Sequence, residues 1–194
     1  MSTEFESVDP VGDEVVINLA RAALFAALMG AFAYVSFPNP LAPGIPVTLQ
    51  VLGVFLAGIM LGPLWGGFAL LVYLIAGAVG IPVFSGGSAG LGALLGPTGG
   101  YLLSYPFAAA ATGLVVHGGP NLTRYKDAST VSLVGGMVLG TVLIYAGGVA
   151  GLMYFGGYGL AGAVSAGVVA FVPVEAVKIL AAIGIVRSDA IAAA

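Results

Sequence analysis

Long runs of apolar residues, interrupted by glycine and proline clusters instead of by charge, organise this chain. Segments 15–37, 47–61, 63–80, 101–116, 130–153 and 165–186 are predominantly apolar. A membrane-spanning helix needs about 20 such residues, whereas the strands of a membrane barrel alternate apolar with polar over about ten. Helices satisfy their backbone polar groups internally in lipid. The pattern therefore predicts an all-α integral membrane protein with six transmembrane helices. The breaks have local causes. In "FPNPLAPGIP" (37–46) the prolines forbid a continued helix. "GPLWGG" (62–67) turns the chain, with Pro63 suited to a first helical position and Trp65 to a membrane face. The stretch "IPVFSGGSAGLGALLGPTGG" (81–100) is apolar but too rich in glycine and proline for an ordinary spanning helix. It predicts a glycine-rich structured loop between helices three and four. "GGPNLTRYKDAS" (118–129) and "YFGGYGLAGAV" (154–164) separate the last three helices.

Composition strengthens this reading: 60% of residues are hydrophobic, 7% are charged, and mean hydropathy is +1.13. No Asp, Glu, Lys or Arg occurs between Arg21 and Arg124. Residues 1–14 hold Glu4, Glu6, Asp9, Asp13 and Glu14 without a basic residue, unlike the basic start of a signal peptide. They are expected to form an acidic cytoplasmic tail before a membrane domain at 15–188, with 189–194 as a short C-terminal tail. A net charge of −3 without basic clusters argues against nucleic acid as a partner, leaving lipid as the expected surroundings. With no cysteine, disulfides and thiolate chemistry are excluded. Arg21, Arg124, Lys126 and Arg187 fall on the side that both termini would share, and loops 38–46, 81–100 and 154–164 have no basic residue. The preference of basic residues for the cytoplasmic side then puts both termini in the cytoplasm of a multi-pass cell-membrane protein, and the glycine-rich loop outside.

The remaining basic residue, Lys178, lies with Glu175 in "VPVEAVKIL" (172–180). Three residues apart on a helix, they point to the same side. Each charge costs about 2.5–3.5 kcal/mol at a helix centre, so the pair is either an ion pair that fixes packing or a polar ligand site. Pro173, just before them, removes a donor and is expected to bend the helix. Glycines of 81–100, Gly90 among them, permit positive φ and close backbone approach, while Phe84, Leu91 and Leu94 can cover an apolar ligand. That loop is either a lid or a closure of the fold. Thr48, Gln50, Ser85, Ser88, Thr98 and Tyr101 offer hydrogen bonds to the same space. The lone His117 has no second histidine with which to bind metal, and no GK[ST] follows the glycines, so neither a metal nor ATP is expected on this chain. In "RAALFAALMGAF" (21–32), Ala22, Ala26 and Gly30 form one small-residue stripe and Ala23, Ala27 and Ala31 another, suited to close helix contact with a partner or within the chain.

These residues resemble one family, the biotin-specific substrate-binding subunits of energy-coupling-factor (ECF) transporters, known as BioY. The resemblance covers "IPVTLQVLGVFLAGIMLGPLWGG" (45–67) and "GIPVFSGGSAGLGALLGPTGGYLLSYP" (80–106), with "GPTGGYL" its most specific part. Helix six matches more loosely. Family members commonly carry Pro-Gly and an aspartate three residues before the lysine; here Val174 and Glu175 stand there and Lys178 keeps its place. The resemblance implies a six-helix subunit that captures biotin outside and works with a transmembrane coupling subunit and two ATPases, without catalysis or cofactor of its own. It implies ligand contacts at Glu175 and Lys178, and a coupling surface on the helix-one stripe Ala22, Ala26 and Gly30. Some members use an arginine for the ligand carboxylate, and the 81–100 loop has none. A subunit for another vitamin is the alternative. A lipid-modifying enzyme would need metal-binding acids or a nucleophile with its base, which a lone intramembrane carboxylate and a lone histidine do not supply.

Overall fold

A computed structural model describes residues 12–39, 41–42 and 45–188. Glu4, Glu6, Asp9, the 189–194 tail, and Pro40, Pro43 and Gly44 of the first loop lie outside these residues. Helix α1 spans Asp13–Tyr34, so Asp13 and Glu14 belong to its first turn and not to a tail. Their negative charge there faces the positive end of the helix dipole. Among the described residues, five helical stretches are long and apolar enough to cross a membrane: α1, α2 (Gln50–Ala78), α4 (Gly99–His117), α5 (Thr130–Tyr154) and the composite Leu160–Arg187.

Element α2 is a hairpin, because Gly62 has φ 76° and ψ −178°, a backbone state open to glycine, and Pro63 follows it. Its arms, 50–61 and 63–78, correspond to the two helices expected at 47–61 and 63–80. They lie close enough that a Cβ on Gly66 would sit 2.7 Å from Ala57 O, and Gln50 at one end touches Tyr73 near the other. Proline at 63 also deprives Ile59 O of its usual helical donor. His117 replaces that donor. Its Nδ1 accepts from the Thr123 N–H at 3.0 Å, leaving Nε2–H to donate to Ile59 O at 2.9 Å. The histidine thus ties the hairpin turn to the end of α4 and the following loop. His117→Ala is expected to lower stability by about 1–3 kcal/mol, since it orphans buried polar groups; thermal unfolding in detergent measures this.

Glycines set the remaining helix crossings. The position of a Cβ on Gly58 overlaps Ala109 O of α4, and one on Gly113 would lie 2.6 Å from Pro63 N. On the other side of α4, Gly100 meets Gly147 and Gly151 of α5 with no side chain between. Helix α1 packs on α2, burying Ala22, Ala26, Met29, Gly30 and Ala33. The partner surface expected at Ala22, Ala26 and Gly30 is therefore corrected. Ala22 is 0% exposed, and a Cβ on Gly30 would be 3.2 Å from Val83, so this chain already fills that face. The adjacent stripe Ala23, Ala27 and Ala31 is exposed.

Two features depart from the sequence expectation. Residues Ser36–Phe37 (β1) and Val47–Thr48 (β2) pair antiparallel, forming a small strand clip across the first loop. The final span starts at Leu160 instead of 165 and is interrupted. It runs as α6 (Leu160–Val164), a π-helical turn (Ser165–Val169), and α7 (Val172–Arg187). The bend expected at Pro173 is present as a break just before α7, where the Ala170 N–H donates five residues back to Ser165 O. Between α2 and α4 lie a 3-10 turn at Ser85–Gly87 and the short helix α3, Leu91–Leu94. Arg187, at the end of α7, donates to Lys126 O at 2.5 Å and to Ala128 O at 2.6 Å. It closes the end of the fold where the 118–129 loop lies.

Candidate functional site

A cavity of about 260 Å³ lies between residues 45–48, the start of α2, the 84–98 segment, α4, α5 and the start of α7. At its buried end are Glu175 and Lys178, 4% and 5% exposed, with Lys178 Nζ donating to Glu175 Oε1 at 2.7 Å. The break before α7 places Glu175 in that helix's first turn, where the dipole favours a carboxylate. Oε2 of Glu175 and the hydroxyl of Tyr145 are buried at this cavity and lie close to each other, and neither makes a hydrogen bond of ordinary geometry within the described residues. The protein thus leaves an acceptor and a hydroxyl donor in a largely apolar chamber. Buried polar groups are nearly always paired, so both are poised for a ligand with complementary groups.

Aromatic and aliphatic side chains make the walls: Phe84, Tyr101, Leu102, Tyr105, Ile144 and Phe171. Phe84 is seated against Gly77, where any Cβ would overlap its ring, and meets Tyr73 edge-on at 5.5 Å. Tyr101 packs on Gly148 and donates to Gly167 O at 2.8 Å, in the π-helical turn. That bond joins α4 to the last span beside the cavity.

A hydrogen-bonded relay fixes the polar wall near α2. Thr48 Oγ1 donates to Gln50 Oε1 at 2.9 Å, Gln50 Nε2 donates to the Tyr73 hydroxyl at 2.8 Å, and that hydroxyl donates to Val83 O at 3.0 Å. Tyr73 lies outside the cavity, yet it orients Gln50 and holds the residue before Phe84. Tyr73→Phe is expected to weaken ligand binding by about 1 kcal/mol through loss of these two bonds. Titration of the purified variant beside the parent chain would show it.

The BioY family model matches residues 2–193. The chain belongs to the BioY family. Among its relatives, the biotin transporter BioY of Thermotoga maritima is 37% identical over 165 residues, 85% of this chain and 90% of that one. The biotin transporter BioY of Rhizobium etli is 35% identical over 173 residues, covering 85% and 88%. That of Rhodobacter capsulatus is 41% identical over 134 residues, covering 69% and 68%. The fold is similar to the crystal structure of the S-component for biotin from an ECF-type ABC transporter. That match has a TM-score of 0.79 and 23% identity, and covers 91% of this chain and 92% of the other. BioY is a family of transport subunits, so the chain is not an enzyme.

In this BioY-family chain, Thr48, Gln50, Phe84, Ser85, Ser88, Thr98, Tyr101, Glu175 and Lys178 all line the cavity. Gly90 does not. It has φ +85°, and its N–H donates to Gly77 O at 2.7 Å, which anchors the 81–98 segment to the end of α2. Tyr105, Tyr145 and Phe171 line the cavity without having been singled out in the sequence. Their one available signal is a polar tip within an apolar span for the tyrosines, and Phe171 has none. His117 meets Ile59 and Thr123, away from the cavity, and among the described residues no group of His, Cys, Asp or Glu is placed to hold a metal.

Proposed function

We propose that this BioY-family chain is the substrate-binding subunit that captures biotin for an ECF-type transporter. The observation that carries the assignment to these residues is the unpaired Glu175 Oε2 beside Lys178 and Tyr145, at the buried end of a small apolar cavity. Biotin's fused rings join an apolar sulfur ring to a ureido group with two N–H donors and one carbonyl acceptor. Glu175 accepts from a ureido N–H, Lys178 or Tyr145 donates to the ureido carbonyl, and Phe84, Tyr101 and Tyr105 cover the ring faces. Thr48, Gln50, Ser85, Ser88 and Thr98 supply neutral polar contacts for the rest of the ligand. At about 260 Å³ the cavity lies just below the ~300–1,000 Å³ typical of ligand pockets, which suits a compact vitamin.

With the two hairpin arms counted separately, we read the chain as crossing the membrane six times. Arg124, Lys126 and Arg187 lie at the end opposite the cavity mouth, so the termini face the cytoplasm and the 81–98 segment faces outside, where biotin arrives. Energy comes from a transmembrane coupling subunit and two ATPases, because this chain has no GK[ST] phosphate loop. The exposed Ala23, Ala27 and Ala31 stripe, adjacent to the buried one, is the surface of α1 that remains open to the coupling subunit.

Calorimetric titration of the purified chain with biotin, thiamine, riboflavin and desthiobiotin tests the ligand. Saturable binding of biotin, unaffected by excess thiamine or riboflavin, is expected. Absence of biotin binding by folded, ligand-free protein would mean that Val174 and Glu175 have shifted the substrate to another vitamin.

A further inference from the structure

The cavity has a charge balance that bears on which biotin derivatives it accepts, and the inference rests on the ligand assignment above. Its lining contains one cation, Lys178, and that cation is already neutralised at 2.7 Å by Glu175. No other Lys or Arg can approach. The sequence has none between Arg21 and Arg124, and none from 127 to 177. Arg187 is committed to the carbonyls of Lys126 and Ala128 at the opposite end of the fold. Arg21 precedes Tyr34, whose hydroxyl donates to Pro82 O at the mouth side, by thirteen residues of α1, about 20 Å along the helix.

The polar residues of the lining also grade in exposure. Glu175 and Lys178 are buried, Ser85 and Thr98 are half-buried, and Ser88 is exposed. The cavity therefore opens among neutral hydroxyls. A ligand carboxylate placed inside would be a buried charge without a counterion, which is strongly unfavourable, whereas at the hydroxyl-lined mouth it stays hydrated.

We infer that this chain recognises the ring system of its ligand and leaves the valerate carboxylate at the mouth without an ionic partner, so that it also binds uncharged and amide-extended derivatives of biotin. The substrate class is the biotinyl group, with the free acid as one member. Hydroxyl and backbone groups hydrogen-bond a carboxamide as readily as a carboxylate. A site built around a cation would instead reject the amide, since charge-assisted bonds are roughly twice as strong as neutral ones.

The test is competition titration of the purified full chain with biotin, biotinamide, biotin methyl ester and biocytin, the lysine amide of biotin. Dissociation constants for biotinamide and biocytin within about tenfold of that for biotin are expected, because no charge-assisted bond is lost. Biotin binding with a loss greater than about tenfold for biotinamide would overturn the inference while leaving the biotin assignment intact. If biotin itself fails to bind, the ligand assignment falls and the inference with it. Should biotinamide bind well and biocytin poorly, the mouth is too closed for an extended tail and the amide-extended part is wrong.

Discussion

Lys178→Ala is expected to weaken biotin binding by at least about 1.5 kcal/mol, more than tenfold in the dissociation constant. Lys178 Nζ contributes in two ways. It is a charged donor at the buried end of the cavity, and through its 2.7 Å bond it fixes the Glu175 carboxylate so that Oε2 remains available. Removing the lysine takes away the donor and leaves an unpaired buried carboxylate. Breaking one partner of a buried pair costs about 3–5 kcal/mol in stability, so the affinity must be measured on protein whose fold has been verified by thermal unfolding and gel filtration. The double variant Lys178→Met with Glu175→Gln removes both charges and keeps similar volumes, which relieves most of that stability cost. It should fold well and still bind poorly. A folded Lys178→Ala variant with unchanged affinity would show that the ion pair serves packing alone.

The second large effect concerns Gly100, whose Cβ position overlaps the carbonyl oxygen of Gly147 on α5. The crossing is close from both sides. A Cβ on Gly147 would sit 2.6 Å from Gly100 O, and one on Gly151 would sit 2.8 Å from Gly100 N. Because the opposing atoms are backbone, no side-chain rotation relieves the clash, and α4 and α5 must separate. In lipid, where helix association depends on close packing and not on exclusion of water, such a gap is not compensated. Gly100→Ala should therefore destabilise the protein by about 3 kcal/mol, the upper end of ordinary overpacking costs. It should also weaken biotin binding, since Tyr101 and Tyr105 on α4 face Ile144 and Tyr145 on α5 across the cavity. Gly135→Ala is the control, because its nearest neighbour is a Val115 methyl at 3.9 Å and alanine favours the helix. Equal melting temperatures for the two variants would contradict this account of the crossing.

Much of the architecture was legible along the chain. The length of each apolar run and the exclusion of irregular, unsatisfied backbone from lipid mark the spans, and Gly62–Pro63 marks the reversal within α2, because few other residue pairs tolerate that backbone. The spacing of Glu175 and Lys178 placed them on one helix face, and they do pair. Of the residues around the cavity, those with an unusual chemical character for a membrane span could be picked out. Tyr105, Tyr145 and Phe171 could not, since aromatic residues occur as often against lipid as against protein, as exposed Tyr154 and Phe107 illustrate.

What the sequence by itself determined is therefore local: where helices start and stop, where the chain turns, and which charges must share a protected environment. The tertiary structure alone decided which face of each helix looks inward. In a soluble helix an apolar stripe beside a polar one gives that answer. Here lipid and protein interior are equally apolar, so Ala22 and Ala23 were indistinguishable until packing buried one and left the other exposed. The same reason applies to His117 and Tyr73. Each has a polar atom that must find a partner out of water, but the partners, Ile59 O and Val83 O, are backbone groups brought near by the folding of other helices.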